Sequence, residues 1–121
     1  MTALDARGLP LGYPFRPDLE VTPRDVKAGS DSVFLVDCRT PEEAAAARIA
    51  GAVLVPLDQL AGKAEWLADE AGDRPIVVHC HMGGRSMKAA LFLRGQGIDA
   101  KSMAGGIDAW SLDIDPGVPR Y

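Results

Sequence analysis

Three short apolar runs, "SVFLVD" (32–37), "AVLVP" (52–56) and "PIVVHC" (75–80), and a fourth strand-length run, "AKSM" (100–103), alternate with stretches that carry helix signals. Each run has the length of a strand, and strands that alternate with helices specify a parallel sheet covered on both faces. Between them, "VTPRDVKAG" offers Thr22 as an N-cap, Pro23 at the first helical position and Gly29 as a stop. "TPEEAAAARIAG" repeats the same opening before an alanine-rich helix. "LDQLAGKAEWLADEAG" reads as mostly helical, with Leu60, Trp66 and Leu67 turned inward. "SMKAALFLRGQG" reads as a helix ended by glycine, and "GGIDAWSLD" as a terminal helix.

The expected class is therefore α/β. The first seventeen residues, "MTALDARGLPLGYPFRP", hold three prolines and two glycines with no period. They predict an irregular arm over 1–17, packed on a single domain over 18–121. With 121 residues the chain can bury roughly two-thirds of its unfolded surface without a staple. A net charge of −4 with no basic run argues against nucleic acid as a partner. No apolar stretch approaches the roughly 20 residues that span a bilayer, and the start lacks a signal pattern, so no membrane partner and a cytoplasmic location are expected.

In an open parallel sheet, ligands bind beyond the carboxyl ends of the strands. Cys80 falls at such an end, followed by "HMGGRS". Gly83 and Gly84 allow successive backbone N–H groups to converge on one point, and the helix that follows adds its positive end. The loop is thus an expected anion cradle. A thiolate facing it has a lowered pKa, favoured by the dipoles and by the Arg85 guanidinium, and would be a nucleophile. Such a cradle also suits the negative outer sulfur of a persulfide.

Three stretches carry a family likeness: "VDCRTPEEAAAARIAGAVLVPL", "CHMGGRS" and "MAGGIDAW". In order and spacing they resemble a single-domain rhodanese, or thiosulfate sulfurtransferase, from about Glu20 to Pro119. The resemblance implies a three-layer α/β/α fold with a five-stranded parallel sheet. It also implies a Cys80 that cycles between thiol and persulfide, with neither metal nor organic cofactor. A small-molecule donor such as thiosulfate would load the sulfur; cyanide, a thiol or a protein partner would accept it. His81, Met82, Gly83, Gly84, Arg85 and Ser86 become the substrate-binding loop, with Arg85 closing it and Ser86 capping the helix behind. The chain departs from the family's usual residues at His81, often arginine, at Arg48, usually histidine, and at Cys38, usually apolar.

Blander readings stand beside these. Cys80 could be a buried hydrophobe ending a strand. Cys38 reads as inert core, with a resolving thiol as the alternative, and should point away from the face of Asp37. Asp37 and Arg39 are either a pair supporting the loop or a solvated strand end. His79 reads as a satisfied strand histidine rather than a proton-transfer group. Trp66, Trp110 and the alanines are packing residues, and "PEE" is a favourable first turn. "HCH" lacks any paired ligand spacing, so no metal is expected. Two other functions compete with sulfur transfer. One is a non-catalytic binding or regulatory module. The other is a phosphatase, although rhodanese-fold phosphatases place five residues between Cys and Arg and this chain has four.

Overall fold

A computed structural model describes residues 3–121. The sheet has five strands, all paired in parallel: β1 Glu20–Val21, β2 Phe34–Asp37, β3 Val53–Leu54, β4 Ile76–His79 and β5 Ala100–Met103. Their spatial order is β1-β5-β4-β2-β3. The helices are α1 Pro23–Ala28, α2 Pro41–Ala46, α3 Leu60–Ala71, α4 Gly84–Gly95 and α5 Gly106–Asp113. No helix among the described residues is long and apolar enough to cross a membrane.

Alternation along the strands separates two cores. Val36, Val78 and Ala100 point to one face, where Leu60, Leu67, Ala89 and Leu93 of α3 and α4 cover them. Val77 and Met103 point to the other, against Val26 of α1, Ile107 and Trp110 of α5, and Ile49. The connections from β1 to β3 run over the second face, and those from β3 to β5 return over the first. The direction of winding therefore reverses between β2 and β4. The carboxyl ends of these two adjacent strands flank the crevice where such sheets bind ligands.

Several local features differ from the sequence reading. β1 was not recognisable as a strand, because two residues show no alternation; it forms by adding its backbone to β5. Trp66 is 44% exposed. The buried positions of α3 are Leu60, Ala64, Leu67 and Ala71, a stripe at helical spacing that leaves the residue before Leu67 facing outward. Its indole instead lies beneath the Lys63 ammonium, 5.4 Å from the ring centroid. The alanine-rich helix stops at Ala46, and Ala47 is extended at φ −159°. The Ala47 carbonyl accepts from Arg39 Nη2 at 2.7 Å, and Ala47 and Ile49 turn into the core. Finally, α4 begins at Gly84 rather than at Ser86, with Gly83 as its N-cap. Ser86 thus lies inside the first turn and does not cap it.

Candidate active site

Cys80 follows β4 directly and is 1% exposed. Its Sγ receives the Gly83 N–H at 3.1 Å and lies 3.3 Å from Ser86 Oγ. Ser86 Oγ also lies 3.2 Å from the Gly83 carbonyl and 2.7 Å from Ser102 Oγ, so the hydroxyl is fixed from both sides. Gly83 makes this geometry possible, because its φ of +116° turns the N–H inward. A Cβ there would lie 2.8 Å from the Tyr13 hydroxyl.

The Cys80 pKa is pulled down to about 4. The neighbouring Cys38 thiol weighs most in this, followed, against the opposing effect of burial, by the Ser86 side chain and the Ser86 and Gly83 amides. These surroundings favour the thiolate form of Cys80. Cys38 is pushed the other way, its proton held by the Cys80 charge and by burial. The expected face of Cys38 is correct. Asp37 pairs with His79 in the ladder, so Cys38 comes level with Cys80 on the opposite face from Asp37.

Arg85 departs from its expected place at the sulfur. Its Nη1 and Nη2 donate to Glu43 Oε1 at 2.6 Å and Oε2 at 2.9 Å. This bidentate pair ties the start of α4 to α2 and leaves the thiolate to the amides and hydroxyl. Glu43 is held well below the usual carboxylate range, first by Arg85 and then by Tyr121. The capping box it forms with Thr40 was legible as a first-turn acid. Its pairing with Arg85, 42 residues away, had no sequence signal.

Beneath the loop, the glycine pair before α5 supports the Cys80 backbone. Ile107 N–H donates to the Cys80 carbonyl at 2.9 Å and Asp108 N–H to the His81 carbonyl at 3.1 Å. Gly106, at φ +61°, passes so close that a Cβ would overlap both carbonyls. On the far side of β2, Arg39 is fully buried against Asp37, with contacts of 2.9 and 2.7 Å. It also donates to the Tyr121 hydroxyl at 3.0 Å. The Asp37–Arg39 pair is thus part of the packing behind the loop and not a solvated strand end.

The two histidines take unlike positions. His79 is fully buried with Nδ1 3.4 Å from the Cys80 carbonyl, while its Nε2 has no hydrogen-bond partner. The expectation of a satisfied histidine is therefore wrong for Nε2: Asp37 Oδ2 stands 4.0 Å off, turned toward Arg39. Burial lowers the His79 pKa and keeps the ring neutral. His81 stacks on Tyr121 with ring centroids 4.1 Å apart, and its Nε2 is buried without a partner. Met82 is 59% exposed at the loop tip.

Two further contributors had escaped the sequence reading. Tyr121 donates to Glu43 Oε2 at 2.7 Å while stacking on His81. Tyr13, from the irregular segment, donates to Glu20 at 2.6 Å against the back of Gly83. Outside the loop, a cleft of about 430 Å³ is bordered by Cys38, Arg39, Leu57, Gln59 and Arg85.

The fold thus places Cys80 at the end of the central strand of a parallel α/β sheet, facing an amide at a helix start. Residues 22–113 match the family described as "Rhodanese-like domain", and the chain belongs to that family. It is 36% identical over 93 residues to a chloroplastic rhodanese-like/PpiC domain-containing protein of Arabidopsis thaliana. That match covers 75% of this chain and 31% of the plant protein, so the chain spans less than a third of that relative. A sulfurtransferase of Allochromatium vinosum is 34% identical, with 69% of this chain and 77% of that protein covered. The crystal structure of a rhodanese-related protein from Thermoplasma volcanium superposes with a TM-score of 0.72 at 28% identity, covering 84% of this chain and 95% of that one.

Proposed function

We propose that the protein is a sulfurtransferase that carries sulfane sulfur as a Cys80 persulfide, taking it from thiosulfate or a persulfide donor. The observation that carries this reading is the buried Cys80 sulfur, which receives the Gly83 N–H at 3.1 Å and lies 3.3 Å from Ser86 Oγ, surroundings that pull its pKa down. The likeness to the Allochromatium sulfurtransferase and the family membership support the reaction class. In the first half-reaction the Cys80 thiolate attacks the outer sulfur of thiosulfate. A new S–S bond forms, the old one breaks, and sulfite leaves with the electron pair. In the second, cyanide, a small thiol or a protein thiol attacks the outer sulfur and Cys80 leaves as thiolate. A low-pKa thiolate serves both steps, because it is ionised for attack and is a good leaving group.

The cradle around Cys80 is matched to one added sulfur rather than to a tetrahedral phosphate. Only four residues separate Cys80 from Arg85, and Glu43 already occupies the Arg85 fork that would otherwise bind a phosphate dianion bidentately. A role as a silent binding module gives no reason for a stabilised buried thiolate. Steady-state formation of thiocyanate from thiosulfate and cyanide tests the proposal. Parallel double-reciprocal lines and complete loss in Cys80→Ser are expected; intersecting lines or an active Cys80→Ser protein would overturn it.

A further inference from the structure

We propose that Cys38 is a resolving thiol: it attacks Sγ of the Cys80 persulfide, expels the outer sulfur as sulfide and closes a Cys38–Cys80 disulfide. The inference rests on the sulfur-transfer reading above and adds a second exit for the sulfur. It begins from strand register. Phe34, Leu35, Val36 and Asp37 stand beside Ile76, Val77, Val78 and His79. The ladder continues one step further through the Cys38 N–H, which donates to the His79 carbonyl at 3.0 Å. Cys38 and Cys80 are therefore lateral neighbours on adjacent strands, and both side chains enter the same core. Adjacent strands lie about 4.8 Å apart, inside the window of about 4.4–6.8 Å between Cα atoms that a disulfide requires. Both cysteines are free thiols in the structure.

Position favours Cys38 in a second way. It borders the cleft of about 430 Å³ together with Arg85. In the resting state its proton is retained by the adjacent Cys80 charge. Loading moves that charge one bond outward, onto the terminal sulfur. Cys38 then faces a neutral Sγ, and its proton has a basic outer sulfur to go to. In the step itself the Cys38–Cys80 S–S bond forms and the bond from Sγ to the outer sulfur breaks. The outer sulfur leaves with the electron pair and takes the Cys38 proton as HS⁻. The sulfane sulfur is reduced to sulfide as the two cysteine sulfurs are oxidised to the disulfide. A dithiol reductant resets the pair by two exchange steps.

The experiment mixes the fully reduced protein anaerobically with one equivalent of thiosulfate and no acceptor. Sulfite, sulfide, free thiols and intact mass are followed for the wild type and for Cys38→Ala. The wild type is expected to release one equivalent of sulfite and then one of sulfide. It should end two hydrogens lighter, with a Cys38–Cys80 peptide cross-link that a dithiol removes. Cys38→Ala should release sulfite, keep one added sulfur and yield no sulfide. A wild type that releases sulfite but retains the added sulfur, with Cys38 still open to alkylation, overturns the resolving role and leaves sulfur transfer standing. No sulfite from either protein overturns the sulfur-transfer reading and this inference with it.

Discussion

At the scale of single residues, the chemistry turns on which groups touch Cys80. Sequence spacing pointed to the loop amides and to Arg85; the Gly83 amide does reach the sulfur, beside Ser86 Oγ, whereas Arg85 is engaged by Glu43. A hydrogen bond to a charged group contributes about 1.5–3 kcal/mol, and one pKa unit corresponds to about 1.4 kcal/mol. Cys38→Ala should therefore raise the Cys80 pKa by about one to two units, moving the acid limb of the pH–activity profile to higher pH. The rate of iodoacetamide alkylation against pH reads the same midpoint. A midpoint that stays near 4 would show that Cys38 contributes nothing to the thiolate. The loop around Cys80 was legible because strand, Cys, glycines and helix are consecutive. Glu43, Tyr121 and Tyr13 were not, because their partners are distant in sequence and only the folded chain brings them together.

Among the elements, the site is a junction of helix starts. The first turn of α4 supplies the amides, α2 supplies Glu43 against Arg85, and the start of α5 supports the Cys80 and His81 carbonyls from below. The glycine pair before α5 is explained by that last contact. Gly106 is at φ +61°, and any Cβ would overlap the loop backbone. Gly106→Ala should cost about 2–5 kcal/mol, combining left-handed strain with overpacking, and should displace the loop. Urea unfolding together with Cys80 alkylation at pH 6 checks both. A variant as stable as the wild type, with equally fast alkylation, would mean that α5 does not position Cys80. The strands with runs of four or more apolar residues could be recognised from sequence. β1 could not, since a two-residue strand is defined only by its neighbour, and the extended turn-out at Ala47 that stops α2 depends on a buried arginine eight residues earlier.

For the molecule as a whole, two buried groups tie stability to pH. The Cys80 pKa falls from an unfolded value of 9.0 to about 4, so its contribution is full above pH 9 and is lost as pH falls toward 4. His79 is lowered from 6.5 by burial. Below pH 6.5 the unfolded chain takes a proton that the folded ring resists, so stability also falls there with decreasing pH. Between pH 7 and 8.5 Cys80 alone contributes, at about 1.4 kcal/mol per unit for one proton. Cys80→Ser should therefore lose the rise of about 2 kcal/mol across that interval and, from pH 5 to 6.5, should keep only the part of the rise that His79 supplies. Urea midpoints at these four pH values test the assignment. A slope retained above pH 7 in Cys80→Ser would place the titrating group elsewhere.

The claim on which the rest depends is that Cys80 takes up sulfur before any acceptor arrives. Rapid mixing of excess thiosulfate with the reduced protein, with no acceptor present, reads this directly through sulfite. One equivalent of sulfite per chain is predicted in a single burst, whichever later fate the persulfide meets, and none from Cys80→Ser. Sulfite that appears only when acceptor is added, or a burst that survives in Cys80→Ser, would contradict a persulfide at this residue.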